Sequence, residues 1–157
     1  MKKVLVTLNL LLALFLVSGC GCSKKQKIIE CSSSKENYEV KLLFKADSDN
    51  KILYFKKTEL LSGVDSDSLE KYQNIMNFMK NWDESIDNYD YNYEINEESI
   101  STTLEIDFSK ADYESVLAAP GLYSKYYDYE KNIFDLNKAI EVYKSDSDYE
   151  DLKCEQK

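Results

Sequence analysis

Neither histidine nor arginine occurs in this chain; all twenty basic side chains among its 157 residues are lysines. Without histidine there is no ordinary general base near neutral pH, no Ser/His or Cys/His nucleophile pair, and none of the commonest metal ligand in proteins. Without arginine the bidentate fork that grips carboxylates and phosphates is missing too. The four cysteines form no Cys-x-x-Cys, so nothing marks a thiol for redox catalysis. Long apolar runs are scarce: Val4 to Val17 is cut off by Ser18-Gly19 before it reaches the roughly 20 residues that a spanning helix requires.

What that run forms is a leader. Met1-Lys2-Lys3 is a basic start, the apolar stretch follows, and Ser18 and Gly19 are the small residues that a signal peptidase needs, so residues 1–19 are predicted to be an export signal. Val17-Ser18-Gly19-Cys20 resembles the lipobox of bacterial lipoproteins. That resemblance implies a diacylglyceryl thioether on Cys20, which becomes the mature N-terminus, and a domain held on the extracytoplasmic face of the cell membrane by lipid. Two or three acyl chains anchor stably where a single chain binds only marginally.

Loss of Lys2 and Lys3 with the leader takes the formal charge from −9 to about −11. So acidic a surface repels nucleic acid and anionic headgroups, which excludes nucleic-acid binding and leaves membrane attachment to the lipid. About 138 residues remain, enough for one domain with one modest core. Residues 20–27 read as a small, basic tether and residues 28–157 as a single domain.

Within that domain Asn37 to Ala46 alternates, with Tyr38, Val40, Leu42 and Phe44 on one face; Asp47 to Asn50 is a turn and Lys51 to Leu60 a second strand. After Gly63 the period lengthens, and Leu69, Tyr72, Ile75, Met76, Met79 and Trp82 form a helical stripe with Asp67 and Glu70 as its capping box. Ile86 to Asn96 and Ser99 to Phe108 are predicted as a second hairpin, the first carrying Tyr89, Tyr91, Tyr93 and Ile95 on the face to be buried. Ser109 to Asp112 reads as another capping box with a helix to about Ala118, ended by Pro120-Gly121, and Tyr129 to Lys144 as a last helix. The expected order is β-β-α-β-β-α-α: an α+β domain in which one antiparallel sheet is covered by helices on a single face.

Three stretches carry a family resemblance: the lipobox at Cys20, the helix containing Leu69-Glu70-Lys71-Tyr72, and Thr103 to Asp112 running into a helix that ends near Ala119-Pro120-Gly121-Leu122. Together they resemble the small YehR-like lipoproteins of bacteria, a domain of unknown function behind a lipobox. The resemblance implies the anchoring and the fold. It brings no catalytic residues.

With Cys20 lipidated, Cys22, Cys31 and Cys154 allow three pairings in an oxidising compartment. Cys31 precedes the first predicted strand and Cys154 follows the last helical element, so their disulfide would staple the ends of the domain and leave Cys22 in the tether. Three acidic clusters, Asp47-Ser-Asp49-Asn50, Asp65-Ser-Asp67 and Asp146-Ser-Asp148, lack the further ligands, Gly and Glu of an EF-hand loop. They sit where the pattern changes element, as turn and cap residues do, and no metal site or cofactor is expected.

Tyr123, Tyr126, Tyr127 and Tyr129 cluster in a predicted loop and are candidates for a contact surface, since tyrosine offers large area at low entropic cost. The sequence therefore points to a lipid-anchored envelope lipoprotein with a non-catalytic binding or accessory domain, whose partner is an envelope protein or ligand. A small hydrolase using paired carboxylates, for instance on cell-wall glycan, is the alternative. It would require two carboxylates about 5 Å, or about 6.5 to 9.5 Å, apart in a cleft.

Overall fold

Alternating side chains build the centre of the domain, and a bulge keeps them in phase. The computed structural model describes residues 25–119, 123–149 and 151–157; the predicted leader, Cys20 and Cys22 lie outside the described residues. Strands β1 (Lys27–Lys35), β2 (Tyr38–Ala46), β3 (Ile52–Ser62), β4 (Tyr89–Asn96), β5 (Ser99–Ile106) and β8 (Lys153–Gln156) form one antiparallel sheet in the order β4-β5-β3-β2-β1-β8. A shift of register beside Lys45 and Ala46 lets both Ile52 and Phe55 face inward although they stand at an odd spacing, with only Leu53 and Tyr54 between them. Helix α1 (Ser66–Asp83) carries the chain from β3 past β5 to the edge strand β4.

Helices α1, α2 (Tyr113–Ala118) and α3 (Leu136–Ser145) cover one face of this sheet, with a two-stranded ribbon of β6 (Tyr127–Asp128) and β7 (Ile133–Phe134) beside them. The α+β architecture is as expected, with more strands than the sequence announced. Val40, Leu42 and Phe44 from β2 meet Phe55, Leu104 and Ile106 beneath Val116, Phe134, Ala139 and Tyr143. Each such large side chain contributes about 1.5–3 kcal/mol when fully buried. As its alternation predicts, β4 buries Tyr89 and Tyr91 and leaves Asp90, Asn92 and Glu94 in solvent.

Four local expectations need correction. Strand β1 and strand β8 were not anticipated, because neither Ser32-Ser33-Ser34 nor Lys153-Cys154-Glu155-Gln156 shows apolar alternation; β1 forms a tight hairpin with β2, and β8 pairs with the sequence-distant β1, to which the disulfide ties it. Helix α1 is capped by Asp65, not Asp67: the Asp65 carboxylate accepts the Ser68 N–H at 2.9 Å. Helix α2 begins after Asp112, which accepts the Ser115 N–H at 3.0 Å, while Asp107 organises the preceding Ser109-Lys110 turn. The last helix starts at Leu136 instead of Tyr129, because Asp128 and the left-handed Asn132 (φ 55°) close the β6–β7 turn first and Asp135 then caps α3.

Candidate functional site

The period-two geometry of β3 places two charged side chains on the helix-covered face. Phe55, Lys57 and Glu59 share one side of the central strand, Lys57 registered between Leu42 and Leu104 and Glu59 between Val40 and Thr102. Lys57 Nζ lies 2.9 Å from Glu59 Oε2, with both side chains about four-fifths buried (23% and 21% exposed). Thr102 Oγ1 donates to the same oxygen at 3.1 Å. The other oxygen, Oε1, accepts Tyr38 Oη at 2.5 Å and Tyr149 Oη at 3.3 Å.

Burial by itself would push the Glu59 carboxyl up. The Lys57 charge and the Tyr38, Lys57 and Thr102 donors outweigh it and hold the group below the ordinary carboxylate value, so it is ionised at neutral pH. Lys57 is the mirror case: burial would lower it, but Glu59 and the nearby Tyr149 and Tyr143 hydroxyls hold it above the usual lysine value. Burial, then the Glu59 charge, raises Tyr38 and pushes Tyr91 up to about 12.

Two adjoining recesses open over this pair and share Glu59, Met76, Thr102 and Tyr149 as walls. The outer one, about 450 Å³, adds Lys35, Tyr38, Tyr72 and Asp148; the inner, about 270 Å³, adds Lys57, Met79, Leu104 and Tyr143. Helix α1 forms their common wall without being sunk into the core. None of its described side chains is fully buried, and Ile75 and Phe78 are each 56% exposed. It is held to β4 by Tyr91 Oη on Met76 Sδ (2.9 Å), Lys80 Nζ on the Tyr91 carbonyl (2.9 Å) and Tyr93 Oη on Asn77 Oδ1 (2.6 Å). The uncovered face of the sheet carries a broader hollow of about 750 Å³, edged by Glu30, Lys41, Lys56, Lys153 and Glu155. Lysines and acids alternate across it, and Lys56 is paired with Glu105 at 2.7 Å.

The residues singled out from sequence fall elsewhere. Cys31 and Cys154 are joined as expected, though their Cα atoms stand 4.0 Å apart, closer than the usual 4.4–6.8 Å because they are direct cross-strand partners. Tyr123, Tyr126 and Tyr127 are not a contact surface. They are buried, packed edge-on against Tyr89, Phe134 and Tyr113, and only Tyr129 of the four, 73% exposed, faces solvent. Asp47, Asp65 and Asp146 accept backbone N–H groups of their own turns or caps. Among the described residues no cluster of three acidic or cysteine ligands is placed to hold a metal ion. Cys20, the proposed lipid site, lies outside the described residues. The site that sequence reading missed had a signal: Lys57 and Glu59 occupy the same parity as Phe55, so opposite charges stood on the apolar side of a predicted strand.

No family model matches the chain, and no characterised protein matches it in sequence. The likeness lies in solved structures. The NMR structure of the Escherichia coli YehR protein superposes with a TM-score of 0.59 at 15% identity, covering 84% of this chain and 92% of that one. An NMR structure of a protein from Streptococcus pneumoniae gives 0.49 at 12% identity over 76% of this chain and 82% of that one. The domain therefore has a YehR-like fold.

Proposed function

We propose that the protein is a member of the YehR-like lipoproteins, anchored on the outer face of a bacterial membrane through lipid on Cys20, and that its domain is a non-catalytic binding module whose ligand sits in the recess under α1. The observation that supports binding over catalysis is the saturation of Glu59. Its two oxygens take four donors and its proton affinity is depressed, which suits a group that holds shape and is the reverse of what a general acid near neutral pH requires. The test is to compare species crosslinked to the full chain in intact cells with those of Met76→Trp, which fills the recess. Loss of a specific adduct with membrane attachment retained is expected; an unchanged set of adducts overturns the recess reading.

A carboxylate hydrolase is the second reading, favoured by the presence of Glu59 and Asp148 in the walls of one recess. Envelope glycan hydrolysis that disappears in both Glu59→Gln and Asp148→Asn would give it the lead.

A further inference from the structure

We propose that the inner recess is an acyl-chain site, in which Lys57 holds the carbonyl or carboxylate oxygens of an amphiphile whose apolar chain runs along Met76 and Met79 beneath α1. This rests on the binding reading of the same recess. The hydrogen-bonding capacity of its floor selects the head group. Glu59 already receives two donors on each oxygen, so a ligand's ammonium or hydroxyl finds no free lone pair there. Lys57 is the opposite. An ammonium carries three N–H donors, and among the described residues the Glu59 carboxylate is its one hydrogen-bond or ion-pair partner, which leaves two donors for whatever fills the recess it lines. A buried donor left unmatched is costly, so a head that only accepts gains most. The Lys57–Glu59 pair is neutral as a unit, and a carboxylate and a neutral ester or amide carbonyl present the same acceptor oxygen to it.

The walls select the tail. Met76, Met79 and Leu104 face the inner recess, and unbranched thioethers re-pack around chains of varied shape. Ile75 also lines it while remaining 56% exposed, and Phe78 on the next turn is equally exposed. Apolar surface therefore continues from the recess along α1 to its mouth, the path that a chain longer than the recess would follow.

The full chain, in membranes of cells that express it, is incubated with dodecanoate bearing a diazirine on its chain, or with the corresponding N-methylamide, then irradiated and mapped by mass spectrometry. Label is expected on residues 72–82, competed by excess dodecanoate and not by dodecyltrimethylammonium. It should fall about tenfold in Lys57→Met/Glu59→Gln, which removes the ammonium without stranding a buried carboxylate. Label from the acid alone assigns the head to a free carboxylate; label from the amide as well assigns it to any acyl carbonyl; both support the site. Met79→Glu, on a half-buried helix face, should abolish labelling with the melting temperature little changed. Equal competition by the ammonium amphiphile, label insensitive to the double substitution, or no label on α1 overturns the inference. In the last case the Met76→Trp adduct comparison still decides separately whether the recess binds something else.

Discussion

Cys31 and Cys154 face each other directly across the β1–β8 ladder, their Cα atoms 4.0 Å apart although 123 residues separate them. The bridge joins the last strand, only four residues long and largely solvent-exposed, to a strand that itself lacks apolar alternation. Replacing both cysteines with serine should remove about 4–5 kcal/mol of stability on the chain-entropy account of so long a loop. Urea unfolding measures the loss, and amide exchange should show β8 released before β2 and β3. A mass map linking Cys22 to either cysteine would contradict the pairing.

Lys57 and Glu59 make a second prediction, because a buried pair depends on both members. Lys57→Met alone should cost about 3–5 kcal/mol, since it leaves the Glu59 charge under the helices without its ammonium. Lys57→Met/Glu59→Gln should recover most of that loss. A double-substitution cost in urea unfolding equal to the sum of the Lys57→Met and Glu59→Gln costs would show that the pair is not coupled.

Acid should weaken the domain partly through the same glutamate. The folded state holds Glu59 below the ordinary value of 4.5, so as pH falls the unfolded chain takes up the proton first. Its contribution is complete above about pH 4.5 and is lost as pH drops through the lower folded value. Glu59→Gln should flatten this part of the profile of urea midpoint against pH, leaving a residual slope from Asp65, Asp107, Asp112, Asp128 and Glu105, which are also held low. An unchanged acid slope would refute the assignment.

The start of α1 can be checked at two neighbouring aspartates. Asp65→Ala removes the acceptor of the Ser68 N–H and should cost about 1 kcal/mol, whereas Asp67→Ala, inside the first turn, should change stability by less than about half of that. The reverse order in thermal melts would restore Asp67 as the cap.

Attachment is tested at Cys20. Cys20→Ala should block lipidation and release any exported, cleaved domain from the membrane fraction under a salt and carbonate wash, since among the described residues no helix is long and apolar enough to cross a membrane. Normal processing with retention through that wash would rule out the lipid anchor.

Much of this protein is local chemistry that the chain displays openly. The alternation of Tyr38 to Phe44 and of Tyr89 to Ile95, the helical stripe ending at Trp82 and the positions of Cys31 and Cys154 were each legible, because period and punctuation report which face an isolated segment must bury. At the start of α1 the pattern pointed to Asp67 and the structure uses Asp65, because only the direction of the incoming chain sets which side chain reaches the free N–H groups. Strand β8 depends on a partner far along the chain, and β1 is held between β8 and the adjacent strand β2. Their backbone donors and acceptors are satisfied by register, which leaves no apolar period to read. The tyrosines at 123, 126 and 127 looked like a loop surface and became core, because their rings pack on Tyr89, Tyr113, Phe134 and Tyr143 from elements elsewhere in the chain. Lys57 and Glu59 were visible as misplaced charges on an apolar face, but only the packing of β2, β5 and the Tyr149 turn around β3 brings four donors onto one carboxylate. Periodicity is a property of neighbours in sequence; the recess under α1 is built by neighbours in space.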